Sequence, residues 1–187
     1  MEKQIELLDL PIPHHTNLEI IQHLGGVGWH FANDKPEMFQ TPFVNKIYGE
    51  GKHDHGMHHT SLENKFGNKG DPFLNNMGYL IYHMCNERSK YKMREPRRMY
   101  WNFYTPNAIC DWHCDEDTVG HCVSVLYNLH DNDGGTEFKD GTFIQSKEGQ
   151  ALVFPSYLVH KGIAPKTFYH RFNLNMIVHL QDFQLDE

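Results

Sequence analysis

Two histidines and an aspartate carry the first chemical signal in this chain. His113 and Asp115 stand in Trp112-His113-Cys114-Asp115, and His160 follows in Phe154-Pro155-Ser156-Tyr157-Leu158-Val159-His160-Lys161-Gly162. Two imidazoles and one carboxylate can occupy one face of an octahedral ferrous ion and leave three positions open. A third segment, Tyr169-His170-Arg171-Phe172-Asn173-Leu174-Asn175, places an arginine beyond His160. Its planar guanidinium can grip a carboxylate through two parallel hydrogen bonds. An H-x-D tripeptide is expected about once by chance in a chain so rich in His and Asp, so the weight lies in the order of the three segments.

Strands must hold these groups. From Met99 onward, short β runs alternate with turn residues: Met99–Tyr104, Val119–Leu129, Thr136–Lys139, Gly141–Gln145, Ala151–Pro155, Leu158–Gly162 and Phe168–Val178. Many short strands at close spacing predict a sandwich or barrel. In the last run Phe168, His170, Phe172, Leu174, Met176 and Val178 share one face, and Tyr169, Arg171, Asn173 and Asn175 share the other. A face bearing Arg and two Asn predicts the lining of a polar cavity. The N-terminal part has a different texture. It offers a helix over Asn17–Leu24 capped by Thr16 or Asn17, a turn at Gly25-Gly26-Val27-Gly28, and a polar Gly- and His-rich stretch from Gly49 to Gly70 that reads as a long loop. Met77, Leu80, Ile81 and Met84 then predict an amphipathic helix within Asn75–Lys90, followed by a basic window of Arg88, Lys90, Lys92, Arg94, Arg97 and Arg98.

The region Tyr100–Val178 resembles the double-stranded β-helix (jelly-roll) core of the Fe(II)- and 2-oxoglutarate-dependent dioxygenases, nearest in texture to the prolyl-4-hydroxylase-like branch. The resemblance implies that His113, Asp115 and His160 bind iron and that Arg171 pairs with the distal carboxylate of 2-oxoglutarate. Collagen-type prolyl hydroxylases usually have Lys at that position, so Arg171 is a departure. Tyr104 lies where family members commonly have a tyrosine that hydrogen-bonds the cosubstrate, and Asn102 and Asn173 are further candidates for cosubstrate binding. Gly134-Gly135-Thr136-Glu137-Phe138 is similar to the family's G-G-x-x-F turn. Halogenating relatives replace the carboxylate by a small residue, so Asp115 implies hydroxylation or oxidative demethylation. The implied cofactors are Fe(II), 2-oxoglutarate as cosubstrate and O2, with ascorbate as a candidate reductant. The reaction would couple oxidative decarboxylation to succinate and carbon dioxide with attack on an unactivated C–H bond, the protein holding ligands and aiming substrate.

The expected fold is mainly β with flanking helices, a single domain over 1–187 in which 1–98 supports a jelly-roll core at 99–180. A protein or peptide side chain is the first substrate candidate. An AlkB-type nucleic-acid demethylase is the alternative. Asn102-Phe103-Tyr104-Thr105-Pro106 resembles that branch's N-x-Y-x-P and Arg171-Phe172-Asn173 the start of its R-x-N-x-T-x-R, although the second Arg would fall at Ile177. A non-catalytic jelly-roll metal-binding module is a third reading, and Arg171 speaks against it because a closed structural site needs no carboxylate receptor. The segment His53–His59 holds four His in seven positions and reads as a mobile polar lid before it reads as a second metal site. The basic window reads as a solvated surface before a nucleic-acid grip.

Composition bounds these readings. The 187 residues carry a formal charge of −7, 39% hydrophobic and 13% aromatic residues, which excludes wholesale disorder and a disulfide mini-protein. A pI near 6.1 argues against a surface built throughout for nucleic acid. Cys85, Cys110, Cys114 and Cys122 lack paired C-x-x-C spacing and read as reduced thiols. No stretch reaches the roughly 20 apolar residues of a membrane span and no secretory leader is visible, so a cytoplasmic protein is expected.

Overall fold

The β runs of the C-terminal half fold into two antiparallel sheets that share an interior. The computed structural model describes residues 5–31, 57–63, 67–68, 70–106, 108, 110–116 and 119–181. The larger sheet comprises β1 (Glu6–Asp9), β2 (His30–Phe31), β3 (Met57–Glu63), β4 (Gly67–Asn68), β5 (Met93–Tyr104), β6 (Cys122–Asn128), β9 (Gln150–Pro155) and β11 (Arg171–Leu180). Their spatial order is β1-β9-β6-β11-β5-β3-β2, with β4 beside β3. The smaller sheet runs β10 (His160–Ile163), β7 (Gly135–Phe138), β8 (Phe143–Gln145). Helices α1 (His14–Leu24) and α2 (Pro72–Arg88) complete the described elements. Neither is long and apolar enough to cross a membrane.

The larger sheet is buried on both faces, and the faces differ. Strand alternation sends Met99 and Trp101 of β5 and Leu174, Met176 and Val178 of β11 toward the helices, where they join Ile20, Leu24, Leu74 and Ile81 in the main core. Each such side chain, fully buried, contributes about 1.5–3 kcal/mol, so this layer fixes the sheet rigidly. On the inner face Leu126, Leu152 and Phe154 meet Phe138 and Leu158 in a second cluster. That cluster fills the β6–β9 half of the interior. In the β5–β11 half the paired residues are polar: Arg171 stands opposite Tyr104, Asn173 opposite Asn102, and Asn175 opposite Tyr100.

Several element boundaries differ from the sequence expectation for identifiable reasons. Helix α1 starts at His14 behind Pro13 and has no side-chain cap. Asn17 is buried inside it, donating to Glu148 (3.0 Å) and accepting from the Tyr127 hydroxyl (2.9 Å), so tertiary partners claim the amide expected to cap. Helix α2 begins at Pro72 because the Asp71 carboxylate accepts from the N–H groups of Phe73 (2.8 Å) and Leu74 (3.0 Å). Strand β11 starts only at Arg171, since Asp133 takes the N–H groups of Lys166 and Thr167 and bends the chain before it. Gly135 is demanded by packing, as a Cβ there would lie 2.3 Å from the Ile144 carbonyl oxygen.

The largest correction concerns Gly49–Gly70. His53 and His55 lie outside the described residues, but Met57–Glu63 is a strand paired with β5, not a lid. Polar residues occupy both of its faces. The Trp101 indole N–H donates to Ser61 Oγ (3.0 Å), and His59 is buried with Nδ1 2.9 Å from the Gly28 carbonyl oxygen. His58 turns to the inner face and stacks on Tyr100 at 4.8 Å.

Candidate metal centre

Backbone pairing brings the H-x-D segment beside the second histidine. His113 and His160 exchange both backbone hydrogen bonds (2.9 and 2.8 Å), and the Asp115 N–H donates to Ser156 O (3.0 Å). His113, Asp115 and His160 thereby offer ligand atoms within 4.8 Å of one another, the one such cluster found among the described residues. His113 Nε2 lies 3.9 Å from Asp115 Oδ1, and His160 Nε2 lies 3.7 Å from Oδ2. Each ring's Nδ1 faces a backbone carbonyl, Asp111 O at 2.9 Å and Leu158 O at 2.8 Å. A carbonyl only accepts, so each Nδ1 carries the proton and each Nε2 keeps its lone pair for a cation. The set is asymmetric: the His113 side chain is 47% exposed, whereas Asp115 and His160 are each 3% exposed.

Electrostatics keep the donors in their binding forms. Burial pushes the Asp115 carboxyl upward, but His160, Arg98, His113 and the Ser124 hydroxyl outweigh it and hold the group below its ordinary range. Burial lowers the His160 pKa against the opposing pull of Asp115, favouring the neutral ring. Two imidazole nitrogens and one carboxylate fit a ferrous ion as a three-ligand facial set.

The other end of the polar column fits an anion. Arg171 is almost wholly buried. Its Nε donates to Ser146 Oγ (2.8 Å) and its guanidinium lies 5.2 Å from the Tyr104 ring centroid. Its Nη1 is buried with no hydrogen-bond partner among the described residues. A buried cation with an unused donor is costly unless a ligand supplies the acceptor, and a carboxylate does so in two-point geometry. Burial also drives the Tyr104 phenol well above its ordinary pKa, with Cys110 adding to the shift and Arg171 opposing it, so the hydroxyl stays protonated and can donate. Asn102 Nδ2 donates to Asn173 Oδ1 (3.0 Å), so these two amides partly satisfy each other.

Two contacts escaped the sequence reading. Ser124 Oγ donates to Asp115 Oδ2 at 2.6 Å, and Arg98 Nη2 donates to Oδ1 at 3.2 Å. Arg98 therefore departs from the solvated surface expected of the basic window. Its signal was the same alternation used for β11, because counting back from Tyr104 by twos reaches Asn102, Tyr100 and Arg98. No disulfide joins Cys85, Cys110, Cys114 and Cys122, in accord with the expected reduced thiols.

By sequence the chain matches no family model and no curated protein. By structure it is similar to a prolyl-4-hydroxylase from Pseudomonas putida (TM-score 0.61, 14% identity, covering 95% of this chain and 93% of that one). The viral collagen prolyl hydroxylase of Paramecium Bursaria Chlorella virus-1, solved with 2-oxoglutarate, gives a TM-score of 0.57 at 13% identity, covering 94% of each chain. HygX from Streptomyces hygroscopicus, solved with nickel and 2-oxoglutarate bound, gives 0.68 at 9% identity, covering 99% of this chain and 87% of that one. At such identities the likeness establishes the architecture: this chain is built on the double-stranded β-helix fold of the Fe(II)/2-oxoglutarate-dependent oxygenases, prolyl-4-hydroxylases among them.

Proposed function

We propose that the chain is an Fe(II)- and 2-oxoglutarate-dependent dioxygenase that hydroxylates a side chain of a protein or peptide. The observation that carries the class is the buried Arg171 Nη1, without a partner among the described residues at one end of a polar column whose other end holds three convergent metal-ligand atoms. A closed structural metal site has no use for such an arginine. When bound, ferrous iron and 2-oxoglutarate supply the oxidative chemistry that inserts oxygen at a C–H bond.

The chain's own residues do the rest. His113, Asp115 and His160 hold the metal, with their Nδ1 protons and backbone pairing fixing ring orientation. Arg171 and the protonated Tyr104 hold the distal carboxylate, and Asn102 and Asn173 line the path between. The apolar inner cluster of Leu126, Phe138 and Phe154 keeps water from the adjoining half of the interior. A protein or peptide substrate is supported by end-to-end likeness to two prolyl hydroxylases. A small molecule is the second reading, favoured by the higher TM-score to HygX, which has also been solved with hygromycin B bound.

Anaerobic titration of the iron-loaded protein with 2-oxoglutarate tests the class. The visible metal-to-ligand charge-transfer band should form in wild type, vanish in His113→Ala and demand far more cosubstrate in Arg171→Ala. A well-folded, iron-bound wild type without the band overturns the reading. Succinate release with peptide, small-molecule and single-stranded nucleic-acid panels then decides the substrate, strong salt dependence marking the nucleic-acid outcome.

A further inference from the structure

Asp115 is held through both of its oxygens, Oδ2 by Ser124 and Oδ1 by Arg98. Arg98 is built into the sheet. It stands in register with Ile177 of β11 on one side and Glu63 of β3 on the other, and its guanidinium carbon lies 4.6 Å from the Tyr100 ring centroid. Its Nε is buried with no hydrogen-bond partner among the described residues. The preceding residue, Arg97, pairs instead with Glu116. One arginine of the pair thus serves the surface and the other serves the metal-ligand carboxylate.

We propose that Arg98 is a positioning residue for the metal centre, which, stacked on Tyr100, stops rotation of the Asp115 carboxylate so that it meets the cation in one orientation. The inference rests on the metal-centre reading above. Hydrogen-bond partners behind a ligand fix its direction, and their loss typically costs about 10–100-fold in metal affinity. A guanidinium beside a divalent cation also repels it. The two effects have opposite signs, so deletion separates them: positioning predicts weaker metal binding without Arg98, and simple repulsion predicts tighter binding.

The experiment titrates metal-free protein with Mn2+ and, separately, Co2+, following the cobalt visible bands, for wild type, Arg98→Met, Arg98→Gln, Arg98→Lys and Arg97→Gln. Methionine keeps an alkyl contact on Tyr100, and glutamine provides a second uncharged variant should the first fold poorly. Both should bind metal about 10–100-fold more weakly with altered cobalt bands. Lysine should recover part of the loss, and Arg97→Gln should match wild type. Affinity in Arg98→Met or Arg98→Gln equal to or above wild type overturns the proposal, as does a lysine that rescues nothing or an Arg97→Gln loss as large as theirs. A wild type that binds neither metal instead overturns the metal-centre reading itself, so the two failures are distinguishable.

Discussion

Arg171 is a side chain whose burial makes sense only with a partner. Its Nη1 is a donor on a buried cation with no acceptor among the described residues, so Arg171→Met should leave the fold as stable or raise stability by about 1–2 kcal/mol, because replacing buried charge by apolar volume is often neutral or favourable. The same change should cost 2-oxoglutarate binding about 2–5 kcal/mol, the range for deleting one partner of a buried charge pair. Urea denaturation and cosubstrate titration together check this, and a variant that loses stability while still binding the cosubstrate contradicts it. The two histidines divide similarly. His113→Ala and His160→Ala should both abolish metal binding, but only the second should also destabilise the metal-free fold, by about 2–3 kcal/mol. His160 packs 4.8 Å from the Phe154 ring and is buried, whereas His113 is half exposed. Thermal melting of the two metal-free variants separates them. These residues were legible because type, spacing and order coincide. Ser124 was not, since it sits inside the apolar run Cys122-Val123-Ser124-Val125, and Arg98 was masked by five neighbouring cations of its window.

At the scale of elements, legibility followed hydrophobic pattern. Strands β6, β9 and β11 and the Met99–Tyr104 half of β5 each bury at least one apolar face against the helices and were visible as alternation or apolar runs, whereas the Met93–Arg98 half of β5 had read as basic window outside the 99–180 core. Strand β3 was invisible because His58, His59, Thr60 and Ser61 give no apolar period. Its register is instead set by polar contacts, chief among them the Trp101 indole on Ser61 Oγ in the buried layer. Ser61→Ala should therefore cost about 1–3 kcal/mol, the penalty for a buried donor left without its acceptor, although the side chain removed is small. Equilibrium denaturation measures this. A loss under about 0.5 kcal/mol, the scale of an ordinary surface substitution, would assign the Trp101–Ser61 contact a passive place between β5 and β3. Because β3 carries His58 onto Tyr100, and Tyr100 supports Arg98, loosening this strand should also lower metal affinity. Within the polar segment read as a lid, the described part, Met57–Glu63, is thus a strand of the larger sheet that packs His58 against the candidate site.

Across the whole molecule, neutral histidines are distributed at the seams of the layers. His160 borders the smaller sheet, His130 follows β6, and His179 lies near the end of β11. Burial is the leading cause that lowers the pKa of all three, aided by His170 and Arg171 at His130 and by Arg97 and Arg94 at His179. At His130 the geometry adds a mechanical reason. Its Nδ1 faces the Asp131 carbonyl oxygen at 3.1 Å, while Nε2 accepts the Phe172 N–H at 3.3 Å beside Arg171. A proton on Nε2 would set N–H against N–H. With folded pKa values below the unfolded value of about 6.5, the unfolded chain takes up protons first as pH falls. Stability is then full above about pH 6.5 and declines below it, by up to about 1.4 kcal/mol per pH unit for each ring while only its unfolded form is protonated. The depressed Asp115 carboxyl adds a further loss only below about pH 4, where its unfolded form titrates. Urea midpoints of metal-free protein at pH 7.5, 6.5 and 5.5 should therefore stay level across the first step and fall across the second. His130→Gln, which keeps an acceptor for the Phe172 amide, should flatten that fall. Metal-loaded protein should show a steeper one, because protons also compete for Nε2 of His113 and His160. A midpoint unchanged down to pH 5.5 would mean that these rings titrate alike in the folded and unfolded chains, and that their burial has no acid-sensitive consequence.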